Sequence, residues 1–295
     1  MEIGIHLPQF GPLANREGVI GFAKMAEEHG FDSLWVSDHV IVPRKIEARY
    51  PYSPDGSFPI PPDMPLLEPI ATMIFAAAVT ERAKLGTTVL VIPMRNPIVT
   101  AKMLATLDVF SNGRLILGVG AGWMEEEFRA LGVPFERRGA RTDEYIRIFK
   151  ALWTEESPSF DGKFWQFDEL GFAPKPIQKP HPPIWVGGHS APALRRAGRL
   201  GDAWHAVGVD AEQLGEQFKE VRRHAEEAGR DPASIELTVR ARVNLKQPAQ
   251  AAEQLEQYRE VGVTHATVEI FTADLDRARE LMDVLSSEVR PKIGV

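Results

Sequence analysis

The chain contains no cysteine. That absence excludes disulfide bonds, thiolate nucleophiles and thiolate-bound metal centres together, and it fits a reducing cytoplasm. An excess of positive charge is missing too, since 34 basic residues against 41 acidic ones leave a net charge of -7. Tracking a phosphate backbone needs a basic face, so nucleic acid is not an expected partner. No apolar run approaches the roughly 20 residues that span a bilayer. The longest, around residues 70–79, is alanine-rich and charged at both flanks, so no membrane partner is expected either. The opening MEIGIHLPQF has no basic stretch ahead of an apolar core and does not read as a signal peptide. A cytoplasmic protein is the expectation.

What the sequence does contain is alternation. Strand-length apolar runs fall at residues 2–7, 33–37, 84–91, 114–119, 183–186, 203–207, 235–243 and 266–270. Several are continuous β-branched or leucine runs, as parallel strands covered on both faces require. Helical spacing fills the gaps, with Leu214, Phe218, Val221 and Ala225 forming one stripe and Leu275, Ala278, Leu281 and Leu285 another. Gly30, Gly201, Gly229 and Gly262 stand where those helices should stop. Eight strands each followed by a helix predict a single α/β domain over residues 1–295, a (β/α)8 TIM barrel. A doubly wound open sheet is the rival fold.

Two insertions interrupt the alternation. Residues 43–66, after the second strand, hold seven prolines together with Tyr50 and Tyr52. Residues 154–181, before the fifth, carry a hairpin signal around Asp161-Gly162. Loops this long usually serve as lids or binding loops, and the expectation is that residues 43–66 and 160–172 both close a pocket.

Barrel active sites lie at the C-terminal strand ends. The second strand ends at Asp38-His39, the third at residues 88–93, the fourth at Gly120-Ala121-Gly122-Trp123 and the fifth at Gly187-Gly188-His189-Ser190. A histidine at such an end can give or take a proton near neutral pH, and Asp38 can orient it or touch a ligand. The glycines permit either close approach of backbone to a phosphate or merely tight turns. Trp123 can stack on a ring or plug the barrel mouth. His205, inside an apolar run, reads more readily as packed. Arg240 and Arg242 alternate along the seventh strand, so both can point inward and hold an anion.

Other barrel chemistries fit less well. A glycosidase needs two carboxylates at strand ends, and Glu269 alone is obvious. A metal-dependent hydrolase would draw on His6, His39, His189 and His205, but no tight ligand spacing joins them. A non-catalytic binding barrel would not need Asp38-His39.

Several motifs together resemble a family. These are Trp35-Val36-Ser37-Asp38-His39, Leu85-Gly86-Thr87-Thr88-Val89-Leu90, Arg95-Asn96-Pro97, the stretch 113–123 (Gly-Arg-Leu-Ile-Leu-Gly-Val-Gly-Ala-Gly-Trp) and Pro183-Ile184-Trp185-Val186-Gly187-Gly188. As an ordered set they resemble the bacterial-luciferase-like superfamily, from the first strand to about Val207. Residues 139–145 and the proline-rich loop are most similar to its deazaflavin (coenzyme F420) oxidoreductases. The resemblance implies hydride transfer between coenzyme F420 and a small organic substrate, in a homodimer. It implies Asp38 as a cofactor contact, His39 as proton donor, and a non-prolyl cis peptide at Thr88-Val89 beneath the ring. It also implies a cofactor site that includes Val91, with Gly120, Ala121, Gly122, Gly187, Gly188 and His189 around the phosphate-bearing chain. The alternative is a two-component monooxygenase using reduced FMN. Trp123 stands where the family's sugar-phosphate dehydrogenases place a glutamate, which argues against that sugar as substrate. Met124 replaces the asparagine of many FMN monooxygenases, which leans towards the deazaflavin.

Overall fold

The computed structural model describes residues 1–294. Among the described residues, parallel strands β1 (Glu2–His6), β2 (Ser33–Val36), β3 (Lys84–Thr87), β4 (Leu90–Val91), β5 (Leu115–Gly120), β8 (Ile184–Gly187), β9 (Ala203–Val207), β10 (Glu236–Ala241) and β11 (Val263–Val268) make one sheet, while β6 (Phe160–Asp161) and β7 (Gln166–Phe167) form a separate hairpin. The order runs β3-β2-β1-β11-β10-β9-β8-β5, and β3 also pairs with β5. That last pairing closes the sheet, so the fold is a (β/α)8 barrel and the open-sheet rival is excluded. Around it run α1 (Arg16–Glu28), α2 (Pro69–Ala77), α3 (Pro97–Phe110), α4 (Glu125–Ala130), α5 (Arg138–Thr154), α6 (Ala191–Leu200), α7 (Ala211–Glu227), α8 (Pro248–Glu260) and α9 (Leu275–Val284). Their starts are set locally: Asn15, Asn96, Asp210 and Asp274 each accept a hydrogen bond from an N–H of the first turn.

Two expected strands differ. The run 84–91 is split into β3 and β4 by Thr88-Val89, whose peptide bond is cis. The eighth strand occupies Val263–Val268 rather than 266–270, because the polar Thr264 and His265 belong to it. His265 points into the barrel, where Nδ1 meets Glu2 at 2.8 Å and Nε2 meets the Ser33 hydroxyl at 2.7 Å. Those partners make a histidine tolerable in an otherwise apolar strand.

The barrel interior is filled rather than hollow. Trp35 stacks on Trp185 with ring centroids 4.9 Å apart, and on His205 at 5.5 Å. Room for the indole comes from neighbouring strands: a Cβ on Gly4 or on Gly86 would lie 2.3 Å from it. Pairing one large residue with small ones across strands is how a barrel of this width packs. Above this layer, His205 bonds Thr88 Oγ1 and Thr238 Oγ1, each at 2.9 Å, and is fully buried. His6 donates from Nδ1 to the Leu7 carbonyl at 2.7 Å, with Nε2 on the Ser37 hydroxyl at 2.9 Å.

Burial pushes His205 down to about 3 and His6 down to about 4, from an ordinary 6.5. The unfolded chain therefore takes up these protons first as pH falls. Their contribution is fully present above pH 6.5 and is lost below it, at about 1.4 kcal/mol per pH unit for each histidine, until the folded protein protonates too. Urea unfolding at about pH 7.5 and about pH 5 should show this loss. His205→Gln should remove its share of the slope, and an unchanged slope would contradict the assignment.

Candidate active site

A cavity of about 810 Å³ opens at the C-terminal mouth of the barrel. Its floor and walls come from strand ends: Ser37, Asp38 and His39 after β2, Thr88 and Val89 after β3, Val91 of β4, Gly122, Trp123 and Met124 after β5, Arg240 of β10, and Glu269 after β11. The proline-rich insertion covers it, with Tyr50, Tyr52, Phe58, Met64 and Leu66 turned inward, as expected of a lid. The second insertion does not take part. Its β6–β7 hairpin is held against α5, where Glu144 accepts hydrogen bonds from Lys163 N at 2.8 Å and Phe164 N at 2.9 Å. No residue of 160–172 lines the cavity, which corrects the expectation of two closing loops.

His39 sits among aromatic rings, 4.8 Å from Phe58 and 6.0 Å from Trp123, centroid to centroid. Tyr50 completes the group, 5.1 Å from Trp123. The partner of His39 is Glu127, whose Oε2 lies 2.7 Å from Nδ1. The same carboxylate, 2% exposed, accepts from Val40 N at 2.6 Å and Ile41 N at 3.2 Å through Oε1. A carboxylate can only accept, so Nδ1 carries a proton and Nε2 is the working atom. Among the described residues Nε2 has no protein partner. Glu126, one residue earlier, accepts from Glu47 N at 2.6 Å and Ala48 N at 3.1 Å. The first turn of α4 thus fastens both His39 and the start of the lid.

Asp38 lies beside His39 but does not hold it. Its carboxylate accepts from Val91 N at 2.8 Å and pairs with Arg95 at 2.7 Å, and its side chain is fully buried. Arg95 is also tied to Glu68 at 2.8 Å. Asp38 nevertheless lines the cavity, its carboxylate bracing Val91 and Arg95 while its side chain forms part of the wall.

The glycines divide. Gly122, at φ +82°, lines the cavity. Gly120, Ala121, Gly187, Gly188 and His189 lie outside the lining. Gly120 and Gly187 make room for Val89 instead: a Cβ on either would fall 2.5 Å and 2.8 Å from its methyl groups. His189 is bound to Gln217 at 2.8 Å and to the Val207 backbone at 2.8 Å, with the Tyr52 ring 6.3 Å away. Ser190, the N-cap of α6, makes no side-chain cap bond; Pro192 has no N–H and Ala193 N donates to the Ser190 carbonyl at 2.7 Å, so the N–H groups of Ser190 and Ala191 are what this helix start can offer an anion.

Arg240 is neutralised by Glu269, and its Nη1 donates to Ser37 Oγ at 3.0 Å and to the Thr88 carbonyl at 3.1 Å. It is therefore not a free anion site. The four candidate metal-ligating histidines do not converge: His6, His39, His189 and His205 each serve the separate partners described above.

Known proteins are similar over most of this architecture. The sequence pattern described as luciferase-like monooxygenase matches residues 1–287. The F420-dependent glucose-6-phosphate dehydrogenase of Kineococcus radiotolerans is 32% identical over 239 residues, covering 79% of this chain and 65% of that protein. The FMNH2-dependent dimethylsulfone monooxygenase of Pseudomonas putida is 38% identical over 151 residues, 50% of this chain and 41% of that one. A solved F420-dependent secondary alcohol dehydrogenase in complex with an F420-acetone adduct shares the fold, with a TM-score of 0.79 at 21% identity over 99% and 98% of the two chains. The pattern runs through nearly the whole chain and ends beyond the last barrel strand, so the protein belongs to the luciferase-like monooxygenase family.

Proposed function

We propose that this chain is an oxidoreductase that uses coenzyme F420 to move a hydride to or from a small, predominantly apolar organic substrate. The observation that carries the reading is His39: a histidine on the cavity wall, anchored through Nδ1 by a buried glutamate, with Nε2 left for a ligand. Hydride transfer to a carbonyl carbon leaves an oxygen needing a proton, and the reverse reaction releases one. His39 gives or takes that proton at Nε2.

The residues present fit a flavin-type ring. The cavity has the size of a small-molecule site, its walls are aromatic, and the Thr88-Val89 backbone forms part of its surface. Thr88, Val89, Val91 and Gly122 would hold the ring, and the open start of α6 suits its phosphate. Gly120, Ala121, Gly187, Gly188 and His189 would then stand behind that contact. When bound, such a group supplies the hydride chemistry. The chain itself orients the substrate, excludes water under the lid and handles the proton.

The similarity to an FMNH2-dependent enzyme supports a second reading, a two-component monooxygenase using reduced FMN. Titrating the purified protein with each cofactor and following fluorescence separates the two. Tight binding of F420 with weak binding of FMN is expected, and the reverse pattern would replace the first reading by the second.

A further inference from the structure

Ionisable side chains around the cavity each face a polar partner of complementary kind, with one exception. Asp38 faces Arg95, Glu127 faces His39, and Glu269 faces Arg240. Arg242 follows the last residue of β10 and lines the same cavity, yet among the described residues no carboxylate stands within salt-bridge distance of it. Its guanidinium donates from Nη1 to the backbone carbonyl of Tyr52 at 3.3 Å and also meets the Tyr50 hydroxyl. A guanidinium presents five N–H donors in a planar fork, so most of that capacity is unused. The neighbouring phenols do not neutralise it, because burial pushes Tyr50 and Tyr52 up and keeps them protonated. Arg242 is solvent-exposed at the rim of the cavity, where an anionic group of a ligand can reach it.

The adjoining stretch of the mouth, beyond the ends of β11 and β1, is apolar. Phe10 and Phe271 approach at 5.4 Å between centroids, and Met64 and Leu66 continue that wall. Phe271 is 62% exposed, so its ring is available to an apolar ligand at the mouth. The cavity therefore offers a greasy wall and a single charged corner.

We propose that Arg242 is an oxyanion subsite, and that the substrate is an apolar molecule bearing a carboxylate, its body against Phe10, Met64, Leu66 and Phe271. This names the substrate class of the oxidoreductase reading above and rests on it. A phosphate on the cofactor is the other source of an oxyanion. The substrate is favoured because the open helix start suited to phosphate follows β8, and β9 separates β8 from β10 in the barrel.

The test is calorimetric titration of the full-length protein with 4-phenylbutyrate, 4-phenyl-1-butanol and 4-phenylbutylamine, with and without saturating cofactor. The acid should bind about two- to fivefold more tightly than the alcohol, the scale of an exposed ion pair, and the amine least tightly. In Arg242→Gln the acid should fall to the affinity of the alcohol, which itself stays unchanged. Equal binding of acid and alcohol by the unaltered protein, undetectable binding of the acid, or a preference that survives Arg242→Gln overturns the subsite. If Arg242→Gln weakens acid and alcohol alike, the residue merely clips the lid through Tyr52. A preference that disappears once cofactor is bound assigns the oxyanion to the cofactor and overturns the substrate class. None of these probes needs to react, so the result stands whether or not the hydride-transfer reading does.

Discussion

Turnover should fall by about 10²–10⁴-fold when His39 becomes alanine, the range that a positioned acid or base usually contributes. Affinity for the cofactor should change little, because the Thr88-Val89 backbone, Val91 and Gly122 are untouched. The geometry supports this separation of effects. The imidazole is braced on one side by Glu127 and enclosed by Phe58 and Trp123, so its orientation does not depend on the ligand. Alanine removes the proton carrier and opens a space below the lid. His39→Gln fills the space without restoring a titratable group, and it should be nearly as slow as the alanine variant. Steady-state rates with a confirmed substrate, alongside cofactor titration by fluorescence, make the comparison. A rate unchanged in both variants would mean that the proton comes from water and that His39 only packs the lid. Circular dichroism of the variants excludes unfolding as the cause of any loss.

The barrel was legible in the sequence because its signal is repeated and local. Each strand is a short apolar run, each helix carries a stripe, and one misplaced boundary does not disturb the count. Errors arose where long-range partners override local character. His265 looks wrong for a buried strand until Glu2 and Ser33, more than 200 residues away, provide hydrogen bonds. The spacing around Gly120 and Gly187 also has a packing cause that no local pattern displays, the Val89 side chain lodged between them. Asp38 and His39 were located by their place at a strand end, but their partners were not. Arg95 and Glu127 lie 57 and 88 residues further along the chain, and nothing in the local pattern links them to residue 38 or 39. Glu127 was hidden further by its company: in the run Glu125-Glu126-Glu127 it reads as ordinary acidic decoration of a helix start.

Changing Glu127 to glutamine should slow turnover by roughly 10²-fold or more, because its carboxylate is committed to His39, Val40 and Ile41. The substitution preserves shape, and an amide oxygen can still accept the Val40 and Ile41 N–H groups, so the lid stays fastened. What changes is the group facing His39. The carboxylate oxygen that accepts the Nδ1 proton becomes an NH2 that must donate, and the ring answers by moving its proton to Nε2. The atom facing the cavity then holds its proton without a carboxylate to stabilise the charged ring, and its proton-accepting form points the wrong way. Glu127→Ala should be as slow and also less stable by about 1 kcal/mol, since it removes the acceptor of the Val40 and Ile41 N–H groups. A double-mutant cycle distinguishes this positioning role from a general loss of structure. If Glu127 acts through His39, then Glu127→Gln adds almost nothing once His39 is already alanine. Additive losses would show that the two residues contribute independently, and Glu127 would then matter only as the anchor of the lid.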